Sequence, residues 1–416
     1  MSREAELRFS PLSPPESAAS ATGTAPTSSS SPSSGRPRLD IDVGDDADWC
    51  ADCKIVLSRG TTAYKLLEPA VDAQVDHVPL VVCLHDMTNS SYMWKDIGTL
   101  LADARSGPPV RVLVLDFYGH GRSPYGAGLQ CTLELYVNQV QELLTATGLL
   151  SDEIPFILLG QGMGASVALG FAAKYPNAVK SLCLLSPVGL QWETREAVFP
   201  HRQNPLQPHL LRLPIIGRWL WRRRMKKGLA EAFTEYVFCP NGPKTYATSG
   251  VTSGTGADTG TGTETYADSS SSFAGTDAAT EPDTGCGRRQ LIRLERAMVL
   301  WQIRHTPGYI QGLQSTLLHF PYGPGAMSAV CSALRQHPVR AICVLWGERD
   351  NVCGGPQGGR QSMQLGLEEG EDNCRFITVE GAGHFPLVEN FAAAASAILA
   401  FMGESCRSLR ADLVQY

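Results

Sequence analysis

"ILLGQGMGASVALG", residues 157–170, decides how the chain folds. Ile157, Leu158 and Leu159 form an apolar run of the kind that fills a buried strand, and Ala165 to Gly170 are small or apolar residues suited to a packed helix. Between them glycines fall on alternate positions, Gly160, Gly162 and Gly164. There a strand must turn sharply and let the following helix pass close to it. The spacing predicts strand, tight turn, helix.

Outward from this stretch, short apolar runs alternate with longer helical segments. Residues 53–58 and 62–68 read as an opening antiparallel pair. "PLVVCLH" (79–85), "RVLVLD" (111–116), "PFILLG" (155–160) and "VKSLCLLS" (179–186) are near-continuous apolar strands, as a parallel sheet covered on both faces requires. Helices are expected over about 91–105, 131–148 and 163–175. The alternation resumes with strands at 341–347 and 375–381 and helices near 360–369 and 390–402. This order predicts an α/β protein with an open, doubly wound, mostly parallel sheet. Its core covers 50–190 and 335–403, and residues 191–334 are expected to form a helical cap inserted after the sixth strand, over the carboxyl edge where such sheets bind ligands.

Two blocks carry little that could be buried. Residues 1–45, rich in Ser, Pro, Ala and Thr, read as a disordered tail, and residues 241–287 as a low-complexity insertion within the cap region. The insertion costs the fold little, because loop-closure entropy grows only with the logarithm of length. With 43% hydrophobic and 18% charged residues the remainder can still bury a sizeable core. A net charge of −6 gives no global attraction to nucleic acid, and no nucleic-acid partner is expected. Cys83, Cys183 and Cys343 lie inside apolar strand runs, and the twelve cysteines read mostly as small buried hydrophobes in a reducing compartment. Neither a metal nor a cofactor is expected. The N-terminal residues contain no apolar core of a secretory signal, and no run approaches the roughly 18 apolar residues of a spanning helix. The expected location is cytoplasmic.

The chemistry turns on Gly162. In a G-x-S-x-G nucleophile elbow the serine stands on a strained strand-to-helix turn above the sheet. Gly160, Gln161, Gly162, Met163 and Gly164 match that frame in every respect except the nucleophile. A bare glycine turn can also hold a dinucleotide. Against that, the strand is the third long parallel one rather than the first, and no acidic residue closes a second strand about 20 residues on. The other parts of a hydrolytic site follow in the order nucleophile, acid, histidine: Asp350 in "VLWGERDNV" just after a strand, and His384 in "VEGAGHFPLVEN" after the last strand. The backbone N–H groups of Met87 and Met163 are candidates for an oxyanion hole. Gly119, His120 and Gly121 read as a structural loop. Ser166 is expected to face helix packing, with Ser186 and Cys353 near the site but lacking the exposure of an elbow residue.

The segments "LHDMTNSSYMW", "DFYGHGRS", "LLGQGMGASVALGFAAKYPNAVKSLCLLSP", "WGERD" and "GAGHFPLVEN" together resemble the α/β-hydrolase superfamily, particularly its lipase and esterase branch, which includes monoacylglycerol lipases. The resemblance implies an α/β-hydrolase fold and a pocket for an acyl, ester or lipid ligand. Two departures stand out: the family's usual His-Gly pair in the oxyanion loop is His85-Asp86 here, and Gly162 replaces the serine. In the second respect the chain is similar to the N-myc-downstream-regulated family, hydrolase-fold proteins that also lack the elbow serine.

Without a hydroxyl at position 162 no acyl-enzyme can form, so ordinary serine-hydrolase activity is expected to be absent or very weak, leaving a ligand-binding or scaffolding role. The alternative is a slow carboxylic-ester or lipid hydrolase in which a water in the room left by Gly162 is deprotonated by His384, oriented by Asp350. Within the cap, Arg218, Trp219, Trp221, Arg222, Arg223, Arg224, Lys226 and Lys227 interleave base and tryptophan without an acid until Glu231. Such a segment suits either peripheral membrane contact or aromatic packing over the cleft with solvated bases.

Overall fold

A computed structural model of the chain describes residues 49, 51–69, 78–103, 107–150, 155–189, 297–322, 327–336, 341–350, 352–353 and 374–413. The expected tail, the 241–287 insertion, the basic tryptophan-rich segment and the helix near 360–369 lie outside these residues.

Eight strands form one sheet: β1 (Cys53–Leu57), β2 (Gly60–Leu67), β3 (Leu80–Leu84), β4 (Arg111–Leu115), β5 (Phe156–Gln161), β6 (Val179–Leu185), β7 (Ala341–Gly347) and β8 (Cys374–Val379), in the spatial order β1-β2-β4-β3-β5-β6-β7-β8. β1 pairs antiparallel with β2, and β2 with β4; every other pairing is parallel. The chain thus winds outward from β3 in both directions, to β4 on one side and to β5 through β8 on the other. The loops after β3 and β5 flank the crevice where such a sheet binds ligands.

The unbroken apolar character of the central strands has a packing cause. β3, β5 and β6 are buried along their whole length, and alternate residues supply two separate layers. Val82, Leu84, Leu158, Leu182, Leu184 and Val344 meet helices Leu133–Ala146 and Met163–Lys174 on one face. Val81, Cys83, Ile157, Leu159, Cys183 and Leu345 meet Lys95–Ala102 and Phe391–Leu413 on the other. The last helix runs well past the expected end near 402, because Cys406 and Leu409 continue the buried stripe of Ala394, Ile398, Phe401 and Met402. The segment expected to be helical over 91–105 opens instead as a single 3-10 turn, Ser91–Trp94, before Lys95–Ala102. Among the described cysteines only Cys53 is exposed, and Cys83, Cys183 and Cys343 are buried in their strands without a disulfide.

Between β6 and β7 the described residues are helical at 297–305, Tyr309–His319 and Ser328–Gln336. The first two dock on the loops after β3 and β4, and the third packs against helix Met163–Lys174. Gln302, fully buried, accepts from the Gly121 N–H at 2.8 Å and donates to the Thr88 carbonyl at 2.9 Å, and the Tyr309 hydroxyl donates to the same carbonyl.

Candidate active site

The carboxyl ends of β3, β5, β7 and β8 converge on Gly162. It leaves β5 with φ +55° and ψ −114°, a conformation that favours glycine, and caps helix Met163–Lys174. Its neighbours are glycines for a different reason. A Cβ on Gly160 would lie 2.6 Å from the backbone of Ala165, and one on Gly164 2.1 Å from the Leu84 carbonyl oxygen. Backbone touches backbone at both places, which is the close passage of strand and helix read from the sequence.

At Gly162 the obstacle is a side chain. A Cβ there would lie 2.1 Å from Oδ1 and 2.5 Å from Cγ of Asp86, on the loop after β3. The room that the sequence left for a water is therefore filled by the Asp86 carboxylate. Oδ1 accepts from the Met163 N–H at 2.7 Å, and Oδ2 lies 3.7 Å from His384 Nε2. Asp86 and Gly162, two separate departures in the sequence, share one volume: the carboxylate fits because position 162 carries no side chain.

His384 is held from both ends. Its Nδ1 donates to Asp350, 3.1 Å from Oδ2 and 3.2 Å from Oδ1, and its carbonyl accepts from Gln161 Nε2 at 2.8 Å. Asp350 Oδ1 accepts in turn from the N–H groups of Val352 and Cys353, both at 2.9 Å. The structure thus brings Asp350, His384 and Gly162 together, with Asp86 as the member that sequence reading did not assign. The signal was present as the missing glycine after His85, but its significance lies in a contact between residues 76 positions apart.

The electrostatics follow from this arrangement. Burial opposes charge on His384, but the Asp350 carboxylate, with a smaller contribution from Asp86, holds the imidazole well above its ordinary value. Burial pushes Asp350 up, and the His384 charge and hydrogen bond outweigh it, leaving the carboxyl below its ordinary value. The shift favours the protonated imidazole, whose Nε2 has no lone pair with which to take a proton from water.

Of the expected oxyanion pair, the Met163 N–H holds an oxygen, that of Asp86. Met87 is fixed through other atoms: its carbonyl accepts from His120 Nε2 at 2.5 Å and its sulfur from the Tyr322 hydroxyl at 3.1 Å. His120 is buried, and desolvation lowers it to about 4, so it stays neutral and supports the loop. Ser166 is buried and gives its hydroxyl to the Val188 carbonyl. Cys353 Sγ lies 3.8 Å from His384 Nδ1, on the side opposite Asp86, and burial, followed by the Asp350 charge, pushes its thiol up to about 12. Asp350, Cys353 and His384 place three donor atoms within 4.8 Å of one another, yet the Nδ1 proton and the protonated thiol use the lone pairs a cation would need.

The model of the alpha/beta hydrolase family matches residues 81–397, well over half of the chain. The chain belongs to this family. Curated relatives include human monoacylglycerol lipase ABHD6, 29% identical over 131 residues, which are 32% of this chain and 36% of the relative. Lipase LipV of Mycobacterium tuberculosis is 30% identical over 107 residues, 26% of this chain and 36% of the relative. The chain spans about a third of the length of the curated relatives it matches. Among solved structures, a thermophilic esterase from Thermogutta terrifontis superimposes with a TM-score of 0.55 at 18% identity, covering 85% of this chain and 98% of that one. A membrane phospholipase A described as a bacterial virulence factor gives 0.54 at 17% identity, covering 87% and 88%. These structural likenesses speak to the hydrolase fold.

Proposed function

We infer that this family member binds an acyl, ester or lipid ligand without the acyl-serine chemistry of ordinary hydrolases. The observation that carries this reading is the Asp86 carboxylate at the elbow. Gly162 supplies no hydroxyl, and the amide that would hold a substrate oxyanion holds Asp86 Oδ1 instead. The ligand class rests on the lipase and esterase relatives, and the cap assigned to 191–334 is supported by the described helices docked over the β3 and β4 loops. Peripheral membrane contact through Arg218, Trp219, Trp221, Arg222, Arg223, Arg224, Lys226 and Lys227 belongs to the same reading, each base near an anionic lipid contributing about 1 kcal/mol. Water activated by His384 and Asp350 in the room beside Gly162 fits less well, because the Asp86 carboxylate fills that room.

The test is twofold. A fluorophosphonate probe should leave the protein unlabelled, and p-nitrophenyl butyrate should be hydrolysed no faster than by the His384→Ala variant. Labelling, or turnover abolished by His384→Ala, contradicts the reading. Cosedimentation with phosphatidylserine vesicles, lost on Arg222→Glu/Arg223→Glu/Arg224→Glu, tests the membrane contact.

A further inference from the structure

The carboxylate that fills the elbow also has the surroundings of a nucleophile. Oδ1 rests on the Met163 N–H, while Oδ2 faces His384 Nε2 at 3.7 Å, the separation of an ion pair rather than of a hydrogen bond. Side-chain exposure rises along the row from Asp350 at 0% through His384 at 3% to Asp86 at 8%, so Asp86 is the least buried of the three. The geometry points to Asp86 as the nucleophile of a displacement at saturated carbon, with alkyl electrophiles bearing an anionic leaving group as the substrate class. This rests on the reading that Asp86 occupies the volume beside Gly162, and goes beyond it: acyl transfer through position 162 is closed, whereas alkyl transfer to Asp86 is open.

The Met163 amide selects the substrate class. An ester or amide substrate needs that donor for its own developing oxyanion, and Asp86 Oδ1 already has it. Displacement at saturated carbon develops no oxyanion on the substrate. A lone pair of Oδ2 forms the new O–C bond, the bond to the leaving group breaks, and its electron pair departs with the anion. Asp86 is then an alkyl ester whose carbonyl oxygen is Oδ1, seated on the amide that will stabilise it. Water adds to Cγ while giving a proton to His384 Nε2. The oxyanion on Oδ1 collapses, the bond from Cγ to the alkoxy oxygen breaks, and the alkoxide takes the proton back from His384. The alcohol leaves, and the regenerated carboxylic acid releases the second proton of the water, so that alkyl electrophile plus water yields alcohol, anion and one proton.

The flanking charges time the two steps. Asp350 and Asp86 both favour the protonated imidazole, Asp350 the more strongly. Esterification neutralises Asp86 and so shifts His384 toward the neutral form, whose Nε2 takes the proton from water.

The experiment exposes the full-length protein and its His384→Gln and Asp86→Asn variants to bromoethane and 1-bromohexane, with circular dichroism confirming the fold of each. In His384→Gln an alkyl ester should accumulate on Asp86, located by peptide mass spectrometry. The wild type should release bromide and alcohol over repeated turnovers, and Asp86→Asn should do neither. One turnover of wild type in H2(18)O should place the label in the Asp86 carboxyl, a readout that does not depend on either variant folding. Absence of both adduct and bromide release, adducts confined to Cys353 or other residues, or label found only in the alcohol would overturn the proposal. Fluorophosphonate labelling of a serine would instead contradict the reading of position 162, so the two failures are distinguishable.

Discussion

Adding a side chain at position 162 brings its Cβ to 2.1 Å from Asp86 Oδ1, at a φ of +55° that side chains rarely adopt. Gly162→Ala should therefore lower unfolding free energy by about 1–3 kcal/mol in urea titrations, by strain at the turn and displacement of the carboxylate. The upward shift of His384 can be read directly. In wild type its imidazole resonances should titrate above the ordinary range near 6.5, and in Asp350→Asn they should fall toward or below it, because burial then acts with less opposition. Stability follows the same group. The unfolded chain has His384 near about 6.5 and the folded protein has it higher, so its contribution is complete below about 6.5 and is lost as pH rises through the folded value. Asp350 acts in the opposite direction: its contribution is present above about 3.9 and is lost as pH falls through the depressed folded value. Melting temperatures from pH 6 upward should decline more steeply in wild type than in His384→Gln; parallel curves would contradict the assignment.

At the scale of elements, the elbow was legible because its constraints are local. Gly160 and Gly164 mark where β5 and its helix pass within backbone contact, and a Cβ at 164 would meet the Leu84 and His85 carbonyls, which cannot swing aside as a side chain can. Gly164→Ala should consequently cost more than Gly162→Ala, about 3 kcal/mol or more, or prevent soluble expression. The strands were legible for a similar reason, since burial on both faces leaves continuous apolar runs in β3, β5 and β6. What carried no sequence signal was the partner of each loop. Nothing around Gln302 announces that its amide bridges Gly121 and Thr88, about 180 and 210 residues away. Gln302→Ala leaves the Gly121 N–H buried without its partner and the Thr88 carbonyl with the Tyr309 hydroxyl alone, and should lower stability by about 1–3 kcal/mol, measured by urea unfolding.

At the scale of the molecule, the winding order of the sheet turns distant segments into one site. Asp86, Gly162, Asp350 and His384 follow β3, β5, β7 and β8, and parallel strands deliver all four to the same edge. The order acid, histidine after the elbow pointed to Asp350 and His384 in the sequence, and each follows its strand directly. Asp86 escaped notice because its role depends on the absence of a side chain on another strand, a relation that exists only once β3 and β5 are neighbours. The central claim is that Asp86 and position 162 compete for one volume, and fluorophosphonate labelling of Gly162→Ser beside Asp86→Gly/Gly162→Ser tests it most directly. The expected result is that the serine alone stays unlabelled, while the double variant, freed of the carboxylate, is labelled. Equal labelling of the two, or a folded double variant that resists the probe, would contradict the account.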